Sequence, residues 1–203
     1  SLPQTVVIAP RLPETVGHGP TYFAIDNLQL VDCSPYGNHS NDTRPEAPKR
    51  LDCDFETDLC GWQVVGRDGQ PRSNWFRTND PNIEPGNDHT GLKIPKPANS
   101  GNWLTTHSAL PTTKPYDSIL QSAQPLNHSA STTYCLTFWY YYFGFERANF
   151  SVYISSSSNL QKAIPLWRRT LPTERNWKQA FVEIGKQDAD FYLTFWASVT
   201  SST

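Results

Sequence analysis

Cys53 and Cys60 bracket three acids and an aromatic in the stretch CDFETDLCGW, residues 53–62. Two thiols seven positions apart among carboxylates admit two chemistries. They can help to hold a metal ion, or they can close a short loop as a disulfide. A structural metal site needs further ligands at recurring short spacings. The histidines (His18, His39, His89, His107 and His128) are scattered, and neither C-x2-C nor H-x3-H spacing occurs. Elsewhere, Asp52/Asp54 and Asp188/Asp190 have the residue types of a glycosidase's paired carboxylates. Acids beside turns are far commoner than catalytic pairs, and no H-E-x-x-H, G-x-S-x-G, Walker loop or G-x-G-x-x-G appears. No catalysis is expected.

Four acceptors for N-linked glycosylation stand at Asn38, Asn41, Asn127 and Asn149. Together with the spacing of the cysteines they favour an oxidising, extracellular setting. The net charge is −2 with a pI near 6.2, so no basic field points to nucleic acid or to an anionic membrane. No apolar run is long enough to cross a bilayer as a helix, so no direct membrane insertion by this segment is expected. The opening SLPQTVVIAPRLPETVGHG lacks the basic and apolar regions of a signal peptide, and the chain has no Met. It reads as a piece of a longer protein, secreted or membrane-anchored.

The elements that must position these residues are strands. Aromatics make up 13% of 203 residues, enough to build a core. TYFAIDNLQLVDC (21–33) alternates, with one slip near Asp26, and YCLTFWYYYFGF (134–145) is aromatic and β-branched throughout. ANFSVYIS (148–155), KQAFVEIG (178–185) and DFYLTFWASV (190–199) alternate between turn residues. No segment carries a sustained helical stripe. The expectation is an all-β, jelly-roll-type antiparallel sandwich. Residues 34–52 hold three prolines and two acceptors with hardly an apolar residue, and read as a linker. It separates residues 1–33, too few to bury a core alone, from a body at 53–203.

The body's motifs, taken in order, resemble a known family. CDFETDLCGW is followed by NWFRTND (74–80), DHT (88–90), SILQSAQPL (118–126), YCLTFWYYYFG (134–144), FSVYI (150–154), NWKQAFVEI (176–184) and FYLTFWA (191–197). The series is similar to a MAM domain, the extracellular module of meprin, the A5 antigen and receptor phosphatase mu. The family's closing strand and last cysteine are not found after FYLTFWA; GHGPTYFAIDNLQLVDC (17–33) resembles that element and stands at the other end of the chain. The resemblance therefore implies a tandem array, with 1–33 the end of one repeat and 53–203 most of the next.

It further implies a Cys53–Cys60 disulfide and, if residues 17–33 fill the vacant last-strand position, a Cys33–Cys135 disulfide. Nineteen linker residues span up to roughly 60 Å when extended, against a domain roughly 40 Å across, so the return is within reach. The resemblance also implies a structural calcium ion at Glu56, Asp58, Asp88 and Asp26, and association with protein partners, homophilic association included. Trp167, Arg168 and Arg169 have the composition of a contact patch. The aromatic load leaves a second reading open: a lectin-like, carbohydrate-binding sandwich.

Overall fold

The computed structural model describes residues 20–33, 51–70, 74–90, 101–108, 116–127, 133–144, 148–172 and 174–199. Ten strands run through them: β1 (Thr21–Asp32), β2 (Trp62–Val65), β3 (Trp75–Thr78), β4 (Trp103–Ser108), β5 (Tyr116–Ser122), β6 (Tyr134–Phe143), β7 (Ala148–Ser155), β8 (Ile164–Leu171), β9 (Glu174–Ile184) and β10 (Tyr192–Val199). One turn of 3-10 helix, Leu160–Lys162, joins β7 to β8. All pairings are antiparallel, in two five-stranded sheets ordered β3-β4-β1-β6-β9 and β2-β5-β10-β7-β8. This is the β-sandwich the alternation predicts.

The inner faces follow the period-two rule. From β6 the residues Tyr134, Leu136, Phe138, Tyr140 and Tyr142 point inward, and from β10 so do Leu193, Phe195, Ala197 and Val199. Phe138 is fully buried, and its ring meets Phe195 edge-on at 4.9 Å and Phe150 at 6.2 Å. Aromatics in edge-to-face contact contribute packing beyond their area alone. The expected packed core is therefore where the YCLTFWYYYFG run spends every second ring.

Strand β1 lies in the middle of its sheet, pairing β4 from Thr21 to Ile25 and β6 from Tyr22 to Asp32. The slip near Asp26 is a bulge: the β1–β6 register shifts between Asp26 and Gln29, and Asn27 takes φ 48. Asn tolerates this left-handed backbone because its short polar side chain can bond locally. The bulge lets Leu28 form a two-bond bridge to Cys53, at 2.7 and 2.9 Å. Cys33 and Cys135 then close a disulfide at the end of β1, and Cys53–Cys60 closes the short clip, a sequence separation of 7.

Residues 1–19 and 34–50 lie outside the described residues. Leu51 and Asp52, the last two residues of the stretch read as a linker, are described. Leu51 is buried in the core, and its carbonyl accepts from Trp62 Nε1 at 3.0 Å. The Asp52 carboxylate accepts from the Leu30 backbone N–H at 2.8 Å. Leu51 thus joins the core beside Trp62, and Asp52 ties this point of the chain to β1.

The two disulfides differ in what they restrain. The Cys33–Cys135 bond closes a separation of 102 residues and Cys53–Cys60 one of 7. The chain-entropy relation gives about 4 to 5 kcal/mol for the first and about 2 to 3 kcal/mol for the second. Replacing both Cys33 and Cys135 by Ser is thus expected to lower the urea midpoint more than replacing Cys53 and Cys60. Denaturation curves of the two double variants check the order.

Candidate functional site

The clip's acids serve as hydrogen-bond acceptors. Glu56 reaches the start of β4, where its carboxylate accepts from Gly101 N at 2.8 Å, Asn102 N at 3.2 Å and Asn102 Nδ2 at 3.1 Å. Arg77 donates to the carbonyls of Phe55 and Glu56 at 3.2 and 2.6 Å. Phe55 sits at φ 57, a costly conformation for a bulky residue. Its side chain is wholly buried, and the burial of that ring together with Arg77 holds the loop in place. Asp58 accepts from Cys60 N at 2.6 Å, and Asp88 from the backbone N–H and hydroxyl of Thr90 at 3.0 and 2.6 Å. Asp26 accepts from Asn27 N at 2.7 Å and His89 N at 3.3 Å, with His89 Nδ1 at 2.7 Å.

Calcium takes six to eight oxygens, several of them from carboxylates sharing one sphere. Glu56, Asp58, Asp88 and Asp26 are the acids the resemblance implies for such an ion. Each carboxylate is turned to its own N–H or O–H donors, and among the described residues no group of three or more His, Cys, Asp or Glu stands where it could hold a metal ion.

Two outer faces remain. On the first sheet, residues 79–90 fold across the outer side of β6. The Tyr141 hydroxyl donates to Glu84, Trp177 Nε1 donates to the Asn87 carbonyl at 3.1 Å, and His89 stacks on Trp139 at 5.2 Å. Burial, reinforced by the Glu84 carboxylate, holds the Tyr141 phenol above its usual pKa and keeps it a donor. This flap leaves the far end of the same face open. There Phe181 is 61% exposed and Val31 46%, on either side of β6, opposite Thr137 and Cys135 respectively.

The second sheet carries a groove of about 190 Å³ on its outer face, lined by Arg67, Asp117, Asn149, Tyr153, Arg168 and Trp196 among others. Asp117 organises one wall. Its carboxylate accepts from Trp196 Nε1 at 2.8 Å and pairs with Arg67 at 2.5 Å, which sets the guanidinium 4.9 Å from the Trp196 ring. Tyr153 packs against Trp196 at 5.5 Å.

The expected Trp167–Arg168–Arg169 patch is divided by the alternation of β8. Trp167 turns inward onto Phe138 and Phe150, at 5.5 and 6.1 Å, with the Arg169 guanidinium 5.9 Å from its ring. Arg168 alone of the three lines the groove. Among the acceptor asparagines, Asn127 is exposed, Asn149 lines the groove, and Asn38 and Asn41 lie outside the described residues. Sequence reading missed the Trp196–Asp117–Arg67 cluster. Alternation in DFYLTFWASV sets Trp196 opposite in phase to Phe195, but no local pattern shows that β10 pairs with β5, which brings Asp117 alongside.

Burial raises the Asp26 carboxyl to about 6, and the contacts with His89 offset only part of that. A raised native pKa means that the folded state binds the proton more tightly, so Asp26 contributes most below about pH 4 and loses that contribution as pH rises through about 6. The stability of the wild type relative to Asp26→Asn is therefore expected to fall between pH 4 and pH 7, by an amount on the order of 2 kcal/mol. Paired denaturation curves across that range measure it.

A family model described as MAM domain, meprin/A5/mu, matches residues 53–203, which hold β2 to β10 and both cysteines of the clip. MAM domains are extracellular, non-catalytic modules of the adhesion type, and two disulfides in a sandwich fit that setting. With three quarters of its length matched and a two-sheet antiparallel fold to agree, the chain belongs to the MAM domain family.

Proposed function

We propose that the chain is a protein-association module of a secreted or membrane-anchored extracellular protein, one built of tandem MAM repeats. The tandem arrangement is supported by β1, which resembles the family's closing element and lies outside the matched span. The observation that carries association is the open end of the first sheet. Large apolar side chains normally turn inward, yet Phe181 and Val31 stand exposed on either side of β6, beyond the flap. Arg175, Gln179 and Glu183 line the same edge strand β9 with polar groups. An exposed aromatic ringed by polar residues is the anatomy of an association hot spot. Among the described residues β9 also ends its sheet, so a strand edge lies next to Phe181.

The partner contact is one of surface complementarity on a rigid, disulfide-pinned sandwich, and a second copy of the chain is the partner proposed first. Sedimentation velocity over a concentration series of the wild type and of Phe181→Asp tests it. The wild type is expected to self-associate, and the variant to do so at least about tenfold more weakly, the loss typical of one hot-spot aromatic. Because Phe181 faces solvent, its melting temperature should be unchanged. Equal association by both proteins would remove the patch from the account.

A further inference from the structure

The groove on the second sheet contains an acceptor of the chain itself. In Asn149-Phe150-Ser151, strand alternation puts Asn149 and Ser151 on the outer face while Phe150 is buried in the core. The Thr170 hydroxyl donates to Asn149 Oδ1 at 3.0 Å, which holds the amide oxygen toward β8. Nδ2, the atom that N-glycosylation substitutes, has no hydrogen-bond partner among the described residues. In the register, Ser198 stands opposite Asn149 and Trp196 opposite Ser151. Trp196 is thus the diagonal neighbour of Asn149, roughly 7–8 Å away. Tyr153 lies beyond Ser151 on the same strand, against Trp196, and the exposed Arg168, opposite Ser151 on β8, lines the groove together with Arg67.

That combination suits a sugar. An aromatic takes the apolar face of a pyranose ring, and guanidinium groups donate to its hydroxyls. At about 190 Å³ the groove is below the roughly 300–1,000 Å³ of a site for a drug-sized ligand, and on the scale of a ring or two. We infer that an N-linked glycan on Asn149 lies in this groove, its first ring packed on Trp196, so that the chain's own carbohydrate closes this face. Attachment joins Nδ2 to the anomeric carbon of a glycosyl pyrophosphate donor. The pyrophosphate leaves with the electrons of the broken C–O bond, and the amide gives up one proton. Transfer to the unfolded chain precedes the burial of Ser151. The inference is independent of the association reading, which concerns the other sheet.

The test uses the full chain expressed through a secretory pathway. Release of glycan by peptide N-glycosidase is followed site by site on the folded protein. Asn149 is expected to be occupied and to be cleaved about tenfold more slowly than the exposed Asn127, as for a ring held by one stacking contact. Trp196→Ala should bring the two rates together. Because that variant also removes packing, NMR of the intact wild type supplies a second readout: nuclear Overhauser contacts between the first sugar ring and the Trp196 indole. An unoccupied Asn149, or equal release rates with no such contacts, would overturn the inference. So would an Asn149→Gln protein that binds free chitobiose at Trp196 while wild-type Asn149 carries no glycan, because the groove would then serve another molecule's sugar.

Discussion

The backbone ladder on either side of β1 is the constraint on which the rest of the structure depends. One strand supplies the hydrogen bonds for β4 along one edge and for β6 along the other. Without it, both neighbours would present bare edges, and the inner faces of Phe23, Ile25 and Leu30 would be missing from the core. Everything attached to β1 is arranged to keep it there. The bulge at Asp26–Gln29 turns Leu28 to the bridge with Cys53, Asp52 caps the Leu30 N–H, and Cys33 bonds Cys135 at the strand's end. The opening cysteine clip thus pins its own loop and, through the Leu28–Cys53 bridge, docks β1.

The two outer faces follow from the same scaffold and differ in how they are finished. On the first sheet a flap satisfies the polar tips of Tyr141 and Trp177 and stacks His89 over Trp139, leaving Phe181 and Val31 beyond its reach. On the second sheet no described segment crosses the groove at Trp196. Aromatics with a polar tip occur on both faces because each ring can bury its body while its N–H or O–H finds a carboxylate or carbonyl. Asp26, beneath the flap, is the exception to easy satisfaction. Its burial costs more than the His89 contact returns, which is why its carboxyl titrates near 6.

Much of this was legible in the residues. Alternation located β1, β7 and β10, because period two is the direct imprint of a face toward the core, and β6 stood out as a continuous aromatic and β-branched run. β9 begins at Glu174, earlier than its KQAFVEIG core suggests, since an edge strand's polar start carries no alternation signal. β2 and β3 are four residues each, too short for a pattern, and β8 is mostly exposed, so none of the three stood out. The partners of Glu56 and Asp26 were not legible, because they lie 45 and 63 residues away in sequence. The resemblance marked these acids as cation ligands, and the fold shows the N–H donors that each also accepts from. Trp167 misled in the opposite way, since exposure cannot be read from Trp-Arg-Arg without knowing which face of β8 meets Phe138.

The central claim is that β1 completes the sandwich of its own chain. Peptide mapping of the disulfides under non-reducing conditions, on protein of determined mass from a secretory host, tests it most directly. The account predicts a chain of monomer mass in denaturant with two internal bonds, Cys33–Cys135 and Cys53–Cys60. Cys33 and Cys135 found as free thiols, or bonded between two chains, would contradict it.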